Sequence, residues 1–131
     1  MGHNFMRSIE KIAALVPYMV CPGNHEEHSN FSHYDACFSM LGDADHHGEI
    51  PLSQRINNHF YSLNIGPAHI LLISTEFYYY SGEEQMERQY RFIEEDLKRA
   101  NVEREKRPWL IVMGHRSIYC AKQEEKTCDK N

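Results

Sequence analysis

The chain has 131 residues, 41% of them apolar and 25% charged, with a formal charge of −5. That suits one soluble globular domain with a core of its own and argues against disorder. The basic residues are scattered. The densest group, Lys98, Arg99, Arg104, Lys106 and Arg107, is interleaved with Glu103 and Glu105. It reads as a solvated helix end and not as a phosphate-backbone footprint, which excludes nucleic acid as an expected partner. The longest apolar runs fall far short of the roughly 20 residues a membrane helix needs. The first six residues read neither as a signal peptide nor as a myristoylation signal.

In chain order, Asn4 is placed to cap a helix running to Val16, with Phe5, Ile9, Ile12, Ala13 and Val16 at helical spacing and Pro17 as the stop. Tyr18–Cys21 reads as a short buried strand, and Pro22-Gly23-Asn24 as a tight turn. Residues 31–40 suggest a short helix and residues 42–58 a polar loop. The runs 59–65 and 68–75, separated by Gly66-Pro67, predict a hairpin. Ser81 and Glu84 form a capping-box pattern. The helix it opens reaches about Val102, with Met86, Tyr90, Ile93 and Leu97 on one face. Pro108 introduces a further apolar run, Trp109–Met113, read as a buried strand ending at Gly114-His115. This alternation predicts an α/β domain.

Two of these strands end in glycine-containing turns with polar side chains, where open α/β sheets gather their ligands. In Gly23-Asn24-His25-Glu26, the Asn amide oxygen suits a hard divalent metal without adding charge. The His nitrogen can ligate a metal or donate a proton to a phosphoryl oxygen. Gly permits the tight turn. In Val112-Met113-Gly114-His115 a histidine again stands at a strand end. The pair suggests Asn24 and His115 facing one metal, with His25 beside it. Asp43, Asp45, His46 and His47 sit in a polar loop with no strand before them and read as solvated. Of the four cysteines, Cys21, Cys37, Cys120 and Cys128, none forms a C-x-x-C pair. Cys120 and Cys128 flank a polar segment and are either bridged or two free thiols.

Tyr18-Met-Val-Cys-Pro-Gly-Asn-His-Glu26 and Pro108-Trp-Leu-Ile-Val-Met-Gly-His115-Arg resemble the third and fourth metal blocks of the purple acid phosphatases, a branch of the calcineurin-like metallophosphoesterases. Gly66-Pro-Ala-His-Ile70, Ser74-Thr-Glu76, Gln89-Tyr90 and Leu97 match between them, so the resemblance covers nearly the whole chain. His115-Arg-x-x-Tyr-Cys120 is similar to the animal, plant-like branch. The resemblance implies two mixed β-sheets packed face to face and flanked by helices, and a site with Fe(III) and a divalent Zn, Fe or Mn. It implies that Asn24 and His115 ligate the divalent metal and that His25 contacts the phosphate and assists the leaving group. The implied activity is hydrolysis of phosphate monoesters by in-line attack of a metal-held hydroxide.

The family's Asp-x-Gly, Gly-Asp-x-x-Tyr and Gly-His-x-His blocks are not in this sequence. Residues 1–131 therefore read as a partial metallophosphoesterase domain, expected to be inactive by itself. Arg116 and Tyr119 stand where plant relatives place a substrate histidine, so the substrate pocket is expected to differ. The resemblance further implies a secreted or lysosomal glycoprotein. Asn30-Phe31-Ser32 is then a glycosylation sequon, and an oxidising compartment favours a Cys120–Cys128 bridge. Two alternatives remain: a Ser/Thr protein phosphatase, which also uses Gly-Asn-His-Glu but places Leu-Arg where Cys21-Pro22 stands, and a non-catalytic remnant. The sequence does not give the oligomeric state.

Overall fold

The computed structural model describes residues 2–40 and 58–117. Asp43, Asp45, His46, His47, Tyr119, Cys120 and Cys128 lie outside them. The order of elements is α1 (Gly2–Ala13), α2 (Ser32–Cys37), β1 (Tyr61–Ile65), β2 (Ala68–Leu72), α3 (Phe77–Tyr80), α4 (Glu83–Val102) and β3 (Trp109–Met113). The strands make one mixed sheet in the order β1-β2-β3. β1 and β2 form the expected antiparallel hairpin, with Ile65 opposite Ala68. Gly66 has φ 53°, and Pro67 follows. A glycine at positive φ ahead of a residue fixed near −65° is the pattern a two-residue type II′ hairpin uses. β3 lies parallel to β2, Leu72 opposite Met113, after the α4 crossover. The second sheet that the resemblance implies is not among the described residues.

The core sits where α2, the hairpin, α3 and α4 meet. It contains Phe31, Tyr34, Tyr61, Leu71, Leu72, Phe77 and Ala100. Phe31 meets the His59 ring edge-on at 5.1 Å, and His59 stacks on Phe77 at 5.1 Å. Phe31 also closes a run of three left-handed residues, Ser29, Asn30 and Phe31. Burial of its ring offsets a backbone conformation that costs an L-residue roughly 1–2 kcal/mol.

Several local expectations are corrected. α1 starts before Asn4, whose carbonyl accepts a hydrogen bond from Ser8 Oγ, so Asn4 is inside the helix and not its cap. α1 also ends at Ala13, and Ala14 to Val16 continue only as turns. The N-cap of α4 is Gly82, with no side-chain cap hydrogen bond, so Ser81 and Glu84 form no capping box. Tyr18–Cys21 forms no strand and joins no sheet among the described residues. A strand needs a neighbour for its amides. Here tyrosine hydroxyls hold the segment instead: Tyr61 donates to the Val20 carbonyl at 2.7 Å, and the Tyr34 hydroxyl lies 3.3 Å from the same oxygen.

Two faces also differ. Tyr90 of α4 is exposed, and the residues α4 buries are Gln89, Asp96 and Ala100. β3 is exposed along its whole length, Trp109 at 66%. An apolar run of this kind suits a strand covered on both faces, and the described residues do not supply that cover.

Candidate functional site

The turn after Cys21 is closed locally by a side chain. Glu26 Oε2 accepts the Gly23 N–H at 2.9 Å, and the Glu26 N–H returns to the Gly23 carbonyl at 3.1 Å. Asn24 follows within this turn. On the other side, Met113 ends β3 by accepting the Ile73 N–H at 3.0 Å, and Gly114 and His115 leave the sheet. The two segments converge: His115 Nε2 lies 3.0 Å from Asn24 Oδ1, across 91 positions of sequence.

Space is tight at two glycines, and neither has positive φ. A Cβ on Gly23 would stand 3.0 Å from His115 Cε1 and Nδ1, so the imidazole lies directly on the Gly23 backbone. A Cβ on Gly114 would stand 3.0 Å from Thr75 Cγ2. His25 is exposed beside Asn24. Asn30 is exposed at the far end of the same turn region.

The sequence marks Arg116 only as a difference in the substrate pocket and Glu76 only as part of the family match; the structure joins the two. Arg116 donates through Nε to Glu76 Oε1 at 2.9 Å and through Nη2 to Glu76 Oε2 at 2.8 Å. Glu76 is fully buried. The guanidinium lies 4.0 Å from the centre of the Tyr79 ring. The Glu76 hydrogen bonds hold the Arg116 pKa above its ordinary value. Burial raises the Cys21 thiol, with Glu26 and Glu76 adding smaller repulsion. The signal that could have drawn attention to Glu76 is an acid shortly after an apolar strand that neighbours the His115 strand.

An amide oxygen and an imidazole nitrogen converging at this distance fit two positions in the shell of one divalent ion. They do not build a two-metal centre. Among the described residues no group of three or more His, Cys, Asp or Glu could hold an ion. Among these residues no helix is long and apolar enough to cross a membrane.

Comparison with known proteins gives the setting for this geometry. The family model of the calcineurin-like phosphoesterases matches residues 2–130. The chain is 46% identical over 132 aligned positions to acid phosphatase type 7 of Homo sapiens, covering 99% of this chain and 27% of that protein. It is 46% identical to acid phosphatase type 7 of Danio rerio, covering 97% and 27%. Purple acid phosphatase 21 of Arabidopsis thaliana is 31% identical, with 88% and 25% covered. The chain thus spans about a quarter of the length of these relatives. No solved structure matches. With nearly its whole length matched, the chain belongs to the calcineurin-like phosphoesterase family, and its similarity within that family runs to acid phosphatase type 7 and the purple acid phosphatases.

Proposed function

We propose that this segment supplies part of the active site of an acid phosphatase that hydrolyses phosphate monoesters at a binuclear Fe(III)–M(II) centre, M being Zn, Fe or Mn. In this reading Asn24 and His115 face the divalent ion, and His25 contacts the phosphate and assists the leaving group. The observation that carries it is the 3.0 Å approach of His115 Nε2 to Asn24 Oδ1. Metal pairs supply charge neutralisation and a nucleophile at phosphate centres. The chain's own contribution is to aim two neutral donors at one point and to leave His25 open beside them. Neutral donors suit an ion whose remaining ligands are anionic. A secreted or lysosomal setting, with glycosylation at Asn30 and a Cys120–Cys128 bridge, belongs to the same proposal.

The described residues hold two ligand-type side chains of a centre that needs several more, which favours a second reading, a non-catalytic remnant. The test compares the 131-residue chain with a version extended at both ends, assayed on an aryl phosphate at acidic pH with added Fe and Zn. Turnover by the extended protein alone, lost in His25→Ala, is the expected result. No turnover by either would support the remnant. Robust turnover by the short chain, abolished by His25→Ala, would show that further ligands lie within it.

A further inference from the structure

We propose that Glu76 and Arg116 form a positioning clamp that fixes the His115 imidazole over Gly23 and Asn24, a role that rests on reading Asn24 and His115 as one ligand pair. β2 and β3 are parallel neighbours, so the segments that follow them leave the sheet side by side. Residues 73–76 follow β2, and residues 114–116 follow β3. Three contacts tie the second segment to the first. Gly114 sits so close to Thr75 that a Cβ would meet Thr75 Cγ2 at 3.0 Å. The Arg116 N–H donates to Thr75 Oγ1 at 3.2 Å. The Arg116 side chain then grips Glu76 with both arms of its fork, at 2.9 and 2.8 Å.

Residues 114 and 116 are thereby held on either side of His115, which reaches away toward Gly23 and Asn24. A two-point guanidinium–carboxylate contact fixes direction as well as distance, which a lysine ammonium does not. Thr75 Oγ1 also donates to Glu76 Oε1 at 3.1 Å, and the Tyr79 ring covers the guanidinium, so the carboxylate has little freedom to turn. This assigns Arg116 to positioning, its guanidinium committed to a buried acid, and not to contact with phosphate. Groups that orient a metal ligand from behind commonly change metal affinity by about 10–100-fold when removed.

The test uses nuclear Overhauser contacts in the isotopically labelled chain, without metal. The wild type should show a cross-peak between the His115 ring Cε1 proton and the Gly23 α-protons. Phe60, just before β1, and Phe92, on α4, with rings 5.1 Å apart, report the fold. In Glu76→Gln and in Arg116→Lys the His115–Gly23 cross-peak should be lost while the Phe60–Phe92 contact remains. Arg116→Lys decides if Glu76→Gln does not fold, since it leaves a cation beside the acid. Retention of the His115–Gly23 cross-peak in Arg116→Lys would overturn the clamp. Loss of both contacts there would too, by making the pair a support for the whole fold. A Mn(II) titration separates the underlying reading. Broadening of the His115 ring signals that disappears in Asn24→Ala, and needs roughly tenfold more Mn(II) in Arg116→Lys, supports both. No broadening in the wild type, with a clamp-dependent cross-peak, would remove the ligand pair and leave the clamp as a conformational feature.

Discussion

Gly23 shows how a motif can be recognised for one physical reason and required for another. Its sequence context suggests a turn that glycine permits, yet among the described residues Gly66 is the glycine with positive φ. What Gly23 provides is room for the His115 ring. Gly23→Ala should therefore leave the turn intact and push His115 off Asn24. Overpacking of this kind costs about 1–3 kcal/mol. The expected result is a modest fall in unfolding free energy and loss of the His115–Gly23 cross-peak. An unchanged cross-peak would show that the two segments separate easily. Asn24 and His115 stand out in the sequence because Gly-Asn-His-Glu and Gly-His after apolar runs are chemically distinctive. The pairing of Glu76 with Arg116 is not legible there, because an acid and a base 40 positions apart announce no contact until parallel pairing of β2 and β3 brings their ends together.

α4 reaches Val102, as its periodicity predicts, but its most deeply buried positions are not apolar. Periodicity looks for apolar residues, and here the deepest positions are Gln89 and Asp96. Gln89 acts as a surrogate strand partner: Ser74 N–H donates to its Oε1 at 2.7 Å, and its Nε2 donates to the Ser74 carbonyl at 3.0 Å. Asp96 accepts from Ser62 Oγ at 2.6 Å and lies 2.7 Å from His69 Nε2, with Arg99 Nη2 at 3.2 Å. Asp96→Ala should cost about 3–5 kcal/mol, since it strips a buried partner from the hairpin. Urea unfolding measures it, and a loss under about 1 kcal/mol would mean that water replaces the carboxylate. α2 carries a different sensitivity. His59 is buried against Phe31 and Phe77, its Nε2 2.8 Å from Asp35 Oδ1 and its Nδ1 without a partner. Burial lowers its pKa, only partly offset by Asp35. The folded protein thus binds this proton less readily than the unfolded chain. The stability from neutral His59 is present above the unfolded value of about 6.5 and is lost as pH falls from there through the folded value. Amide exchange in residues 32–37 should accelerate over that range. His59→Phe should flatten the dependence; a dependence that persists would place its origin in another group.

Taken whole, the molecule exposes its most apolar strand. Trp109, Leu110, Ile111, Val112 and Met113 are all open to solvent, and β3 pairs on one side only among the described residues. An exposed apolar edge is a template for pairing with another chain. The isolated chain should self-associate in a concentration-dependent way. Val112→Lys, on that edge strand, should reduce light scattering with little loss of helical signal. A chain that stays monomeric at high concentration would show that β3 is covered after all. Trp109 is the single tryptophan, so its emission should report a wet indole in the monomer and shift to the blue on association.

The sequence by itself determined the local units: the long helix, the hairpin, the β3 strand with Gly114-His115 at its end, and the turn at Gly23-Asn24. Each rests on periodicity, turn chemistry or residue type within a short window. The tertiary structure decided what those units meet. It left Tyr18–Cys21 outside any sheet among the described residues, because pairing depends on a neighbouring strand and not on the segment's own composition. It put polar side chains at the centre of the α4 interface, because hydrogen-bond partners from β1, β2 and Ser74 satisfy them there. It brought Arg116 to Glu76, because the parallel neighbours β2 and β3 deliver the residues that follow them to one end of the sheet, and it set the Gly23–Glu26 turn against His115, results invisible to spacing along the chain.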